Sequence, residues 1–327
     1  MRKIIGICLL AFSLALACIG GILIYQKICG YKENEEIYEK AASIAVLNKN
    51  DDKTSSKKHP DGAGLTENEY HEKESGYDGL TIDWEKLDRK SVRAWIMFEG
   101  DSIINYPVVQ GADNSYYLHH AYDGTYNANG SVFMNADNDS YFRDMNTILY
   151  GHNLRSGRMF GTFRNYLADK SAKKLHFYIY TPDGKKRTYE IISIAETKDG
   201  GYAYSYAFSK IHEYKEYLSK IKNDSSYDTG YGIDETKRVV TLSTCRSIGS
   251  AQGWRVIIVG KEAKIETIQK PASWYKKPKD EVITVLDVEK NIKKTGQEIE
   301  KIKKERKEQE VKDQNTVHGV QSEEQNS

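Results

Sequence analysis

From residue 93 onward, apolar side chains arrive in short runs separated by polar and glycine-containing punctuation. RAWIMFE, IINYPVVQ, GSVFMN, TILYGH, LHFYIYT, RTYEIISIAE, RVVTLSTC and WRVIIVG make eight such runs, most bounded by Gly, Asn, Asp or Pro. Runs of this length, rich in β-branched and aromatic residues, predict strands, and eight of them predict a mainly β barrel or sandwich. A different period appears between the sixth and seventh runs. In FSKIHEYKEYLSKIK, residues 208–222, the apolar positions Phe208, Ile211, Tyr214, Leu218 and Ile221 recur at three and four, which predicts an amphipathic helix. Shorter helical pieces are expected over DWEKLDRK at residues 83–90, around Met159 to Tyr166, and from Lys32 to Ala45.

Outside this region the patterning changes. Behind Arg2 and Lys3 runs an uncharged stretch, Ile4 to Tyr25. At about 1.5 Å per helical residue it matches a hydrocarbon core roughly 30 Å thick, so residues 1–28 are expected to be an uncleaved membrane anchor. The basic N-terminus favours an extracellular C-terminal part, a bias weakened by Lys27. A lipoprotein site at Cys18 is the rival reading; the apolar run continuing past Cys18 speaks against it. Residues 29–82 are expected to be a stalk, helical at first and then too polar to bury a core. A globular domain over 83–261 follows, and then a charged tail, 262–327, helix-prone from Asp280 to Glu310 with a patchy apolar stripe.

Composition narrows the partners. The 48 basic and 47 acidic side chains leave a formal charge of +1, so no whole-molecule field attracts nucleic acid. Tyrosine, at 24 residues, suits strands and half-buried surfaces. Of the 4 cysteines, Cys8 and Cys18 lie in the apolar run and Cys29 just beyond it, leaving Cys245 alone in the globular part. No disulfide framework is available there, and a lone extracellular thiol is either buried filler or a working group.

Candidate chemistry gathers at strand ends. In Thr241-Leu242-Ser243-Thr244-Cys245, alternation puts Thr241, Ser243 and Cys245 on one face and Leu242 and Thr244 on the other. The next run opens at Trp254-Arg255 after an eight-residue loop. Antiparallel pairing with Cys245 opposite Arg255 brings a guanidinium beside a sulfur, where it favours thiolate and can hold an oxyanion. On this pair alone, core filler and a solvated strand end remain equally good readings. His152 follows the fourth run in LYGHN, where glycine permits a sharp turn, and an imidazole can activate a thiol and protonate a leaving amine. His59, His71 and His318 lie in the stalk and tail, His212 on the helix, and His176 at a strand start. The His119-His120 pair suggests a metal, but no second ligand cluster accompanies it.

TLSTC, the GHN after an apolar strand, and the arginine opening the next strand together resemble the sortase family, class B. The resemblance runs from about Asp83 to Lys261, through YPVVQGADNSYYLHH, GSVFMN and LYGHNLRSGRMFGTF. It implies an eight-stranded β-barrel with N-terminal helical additions and a helix between strands six and seven. It also implies a cysteine transpeptidase. Cys245 would attack the carbonyl after the Thr of a C-terminal sorting motif, and His152 would pair with the thiolate and protonate the departing amine. Arg255 would orient substrate and stabilise the oxyanion. Ser243 matches a position lining the substrate groove, and Thr244 is counted with it as substrate-binding. Relatives favour Asn-Pro or Ser-Pro, any residue, Thr and a small residue as the motif.

The partners so implied are a surface protein and an amine of a peptidoglycan precursor, met at the outer membrane face. No metal or organic cofactor is called for. Arg246 departs from the pattern, standing where many relatives carry an acidic residue. Polymerisation of pilin subunits, hydrolytic cysteine proteolysis and an inactive binding scaffold are the competing expectations.

Overall fold

Strands buried along most of their length fold this chain, closing one sheet on itself. In the computed structural model the described residues are 18–21, 36–47, 80–99, 101–245, 253–278 and, beyond these, 284, 286, 287, 297, 300, 301 and 304. Two short strands, β1 (Ala45–Leu47) and β2 (Leu80–Ile82), pair antiparallel ahead of the main sheet. The eight predicted runs become β3 (Val92–Phe98), β4 (Asp101–Val109), β5 (Val132–Met134), β6 (Asn146–Tyr150), β7 (His176–Thr181), β8 (Lys185–Lys198), β9 (Val239–Cys245) and β10 (Trp254–Thr267). They close into a barrel in the order β10-β8-β7-β3-β4-β5-β6-β9, the mainly β eight-stranded fold expected.

One face of each strand fills the interior. Ala94, Ile96, Phe98, Val108, Phe177, Ile179, Val240, Leu242, Val256 and Ile258 belong to one buried cluster, whose removal from water is the main stabilising term. The opposite face of β8 and β10, with Val239 at the start of β9, is buried and apolar as well, because a helix covers it. That helix, α2 (Ile211–Asn223), follows the shorter α1 (Phe163–Ala168) and lies between the sixth and seventh barrel strands. It buries Tyr214, Tyr217, Leu218 and Ile221 against Ile192, Val239, Ile257 and Val259. Its start is secured by the Glu213 carboxylate, which accepts from the backbone N–H groups of Ser209 and Lys210.

Two helical expectations shrink. Over residues 83–90 only a single 3-10 turn forms, Trp84–Lys86, because Leu87 is already extended. The helix expected around Met159 to Tyr166 starts later, at Phe163. Gly157 and Met159 both occupy the left-handed region, at φ 81° and 56°, which bars a right-handed helix through them.

Parts of the stalk and tail pack on the barrel. Residues 36–42 are helical, and Tyr38 meets Tyr106 edge to face at 5.6 Å. The expected domain end at Lys261 falls inside β10, which runs to Thr267. Beyond it, residues 268–278 form a strap. Gln269 accepts from the Ile82 N–H and donates to the Ile82 carbonyl, both at 3.0 Å, and Trp274 Nε1 donates to the Trp84 carbonyl. Farther on, Leu286 is buried with the α2 cluster and Asp287 pairs with Arg238 at 3.1 Å. The expected anchor lies outside the described residues except for helical residues 18–21. Among the described residues no helix is long and apolar enough to cross a membrane.

Candidate active site

Two strand pairings deliver the candidate groups to one end of the barrel. β9 and β10 run antiparallel with Cys245 directly opposite Arg255, so both side chains leave the same face of the sheet. Arg255 Nη1 lies 3.4 Å from Cys245 Sγ. The other terminal nitrogen, Nη2, meets Asp199 Oδ2 at 2.6 Å. A guanidinium in that position stabilises a thiolate by charge and offers donors to an oxygen that develops charge beside the sulfur.

His152 arrives from the other side of β9. β6 and β9 are parallel neighbours with Tyr150 opposite Ser243, and the Gly151 N–H extends the ladder to the Ser243 carbonyl at 3.1 Å. His152 and Cys245 each lie two residues past that pair, at the same end of the barrel. Asn153 closes the junction, its Nδ2 donating to the Cys245 carbonyl at 2.8 Å. Gly151 is not in the left-handed region expected of a sharp turn; a Cβ there would meet the Phe160 ring at 2.7 Å. Close approach, not φ, requires glycine.

The His152 ring is held by its far nitrogen. Nε2 lies 2.9 Å from the Leu118 carbonyl oxygen, which can only accept, so Nε2 carries the proton and Nδ1 of the neutral ring is the acceptor. Burial pushes the imidazole below its ordinary value; the hydrogen bond to Leu118 opposes this and neighbouring His119 adds to it. The neutral ring is thus favoured.

A polar and aromatic wall flanks the sulfur. Ser243 Oγ meets Tyr204 Oη at 2.7 Å, and Tyr204 stacks on Tyr150 at 6.2 Å between ring centroids. The fully buried Asn146 fastens this wall: its Nδ2 donates to the Ala203 and Ser205 carbonyls, and its Oδ1 accepts from Thr241. Thr244 does not share the face of Ser243 and Cys245. It is 3% exposed on the alternate face, with Val240 and Leu242, so it does not border the groove.

A family model described as Sortase domain matches residues 101–263. A sortase B of Listeria monocytogenes is 35% identical over 180 residues, which is 55% of this chain and 72% of that protein. The chain belongs to the sortase family, class B. A Staphylococcus aureus sortase B is 29% identical over 55% of this chain and 73% of its own length. Among solved structures, a B. anthracis sortase B in complex with AAEK1 has a TM-score of 0.53 at 28% identity, covering 72% of this chain and 99% of that one. The Staphylococcus aureus sortase B–substrate complex has a TM-score of 0.50 at 29% identity, over 55% of this chain and 82% of that one. Class B sortases are cysteine transpeptidases, and so is this chain.

In this sortase the strand pairings bring the expected Cys245, His152, Arg255 and Ser243 to one end of the barrel, and Asn153, Asp199, Tyr150 and Tyr204, which the sequence did not single out, join them there. Asn153 stood in plain view within GHN; the others needed the strand pairings. Arg246 lies outside the described residues. Two other histidines are engaged elsewhere: His120 stacks on Tyr116 at 3.9 Å, and His176 joins Glu99 to Tyr231 at 2.8 Å on each side.

Proposed function

We propose that this sortase is an N-terminally anchored, extracellular enzyme that joins a surface protein to an amine of a peptidoglycan precursor. The observation that carries the reading is the 3.4 Å approach of Arg255 to the only cysteine of the globular part, at the strand end beside His152. The Cys245 thiol passes its proton to Nδ1 of His152 as its sulfur forms a bond to the carbonyl carbon after the motif Thr. Arg255 steadies the oxyanion, the C–N bond breaks, and a proton from His152 goes to the departing amine. The acceptor amine then attacks the thioester carbonyl and passes a proton to His152; the C–S bond breaks and the sulfur takes that proton back as the thiol. Ser243 and the tyrosine wall line the path of the motif, and the Staphylococcus aureus relative is itself known as a substrate complex. The apolar run from Ile4 to Tyr25 supports the anchor.

The test is library cleavage by the full chain in detergent. Peptides carrying Asn-Pro or Ser-Pro, a variable residue, Thr and a small residue are offered with and without an oligoglycine or diaminopimelate amine, and products are read by mass spectrometry. Cleavage after Thr with transfer outpacing free acid is expected. Free acid alone at saturating amine would make the chain a hydrolase, and no cleavage at all would overturn the reading.

A further inference from the structure

Arg255 has two terminal nitrogens, and only one faces the sulfur. The other is taken by Asp199 at 2.6 Å, in an ion pair where the arginine side chain is 22% and the aspartate 50% exposed. A guanidinium at a strand end, carried on a long stem, samples many rotamers; a carboxylate on one edge of its planar fork removes most of them. Asp199 is itself fixed. Its backbone N–H donates to the Gly253 carbonyl at 2.7 Å, one step past the Trp254 and Lys198 pair that ends the β8 and β10 ladder. Arg255 faces Thr197 across that ladder, and Asp199, two residues on, returns to the same side. Gly200, in the left-handed region at φ 67°, then turns the chain away into the segment that carries Tyr204.

We infer that Asp199 is a positioning residue for the transpeptidation: it holds the Arg255 fork so that Nη1 points at the reacting centre, and it ties that fork to the wall formed by Tyr204. The inference rests on the reading of Arg255 as the oxyanion donor. Asp199 touches neither sulfur nor acyl group; it acts through Arg255. Tyr150 and Tyr204 register the same pair, since burial raises both hydroxyls, with Asp199 adding to the rise and Arg255 opposing it. A carboxylate here also offsets part of the positive charge beside the thiol, so the fork is oriented without an unbalanced cation in the groove.

The experiment measures acyl-enzyme formation under single-turnover conditions, by mass spectrometry, with the full chain and the peptide selected by library cleavage. Asp199→Asn, nearly isosteric, should lower the acylation rate roughly tenfold, as expected when a reacting group loses its orientation, with KM for peptide within about twofold. Asp199→Glu should recover part of the rate. In an Arg255→Ala background, Asp199→Asn should have no further effect. Unchanged acylation in Asp199→Asn, or the same loss with and without Arg255, would overturn the inference while leaving the role of Arg255 intact. Undiminished acylation in Arg255→Ala would remove the reading of Arg255 and this inference with it.

Discussion

Asn153 Nδ2 donates to the backbone carbonyl of Cys245 across 2.8 Å, so the residue after His152 grips the residue that supplies the sulfur. β9 ends at Cys245, and this side chain continues the junction between β6 and β9 past the last backbone pair. Together with the Gly151 and Leu118 contacts, that carboxamide sets the relative placement of imidazole and thiol. Asn153→Ala should lower kcat about tenfold and stability by about 1 kcal/mol, read by peptide cleavage and thermal unfolding. Full kcat with lowered stability would confine Asn153 to a structural part.

Cys245 and Arg255, paired at the strand ends, should differ in the kind of loss. Cys245→Ala should abolish the thioester adduct without shifting the unfolding midpoint, because the side chain is half-exposed and small. Arg255→Lys should lose about tenfold or more, since a point ammonium cannot hold Asp199 and the reacting centre with one plane. Retention of near-normal turnover in Arg255→Lys would show that charge alone suffices.

pH dependence follows from His152, whose folded-state value lies below the ordinary imidazole value of 6.5, first because of burial. As pH falls, the unfolded chain takes up the proton before the folded one. The neutral ring therefore contributes stability that is present above about pH 6.5 and lost as pH drops through the folded-state value. His152→Gln removes that contribution. The difference in unfolding free energy between wild type and His152→Gln should be constant above about pH 7 and shift towards the variant below 6.5. Parallel profiles across the acid range would show that the ring is not buried neutral.

Tyr204→Phe leaves the stacked ring on Tyr150 but deletes the hydroxyl that occupies Ser243. If the Tyr204 and Ser243 pair meets the peptide before chemistry, KM should rise several-fold with kcat held, as for a contact equal in ground and transition states. A fall in kcat at constant KM would move the pair from binding to catalysis.

The tail makes a stability prediction. Leu286 is 2% exposed against the α2 cluster, so Leu286→Ala should cost about 2–3 kcal/mol, measured by denaturant unfolding. An unchanged midpoint would mean that residues near 286 dock without bearing on stability.

The barrel was legible because strand and helix periods differ, and all eight runs and α2 announced themselves. Cys245 facing Arg255 was legible too, since a short loop joins adjacent antiparallel strands and alternation sets the faces. His152 beside Cys245 was not readable from pairing rules: β6 and β9 are parallel neighbours far apart in sequence, and only the motif resemblance joined them. Asp199 was missed for the same reason, as β8 meets β10 with α2 and β9 intervening. Gly151 was rightly noticed for the wrong cause, because the Phe160 ring that crowds it is a tertiary contact. Residues 268–278 look like ordinary charged tail until Gln269 and Trp274 find β2 and Trp84.

Gln269 occupies both main-chain hydrogen-bonding groups of Ile82 with a single side-chain amide. β2 ends at Ile82, and beyond its pairing with β1 that residue would otherwise offer a donor and an acceptor to any passing extended segment. The carboxamide acts as a plug, terminating the little sheet in a group that cannot propagate it. A margin capped in this way presents no free ladder at Ile82 for the edge of a second copy to join.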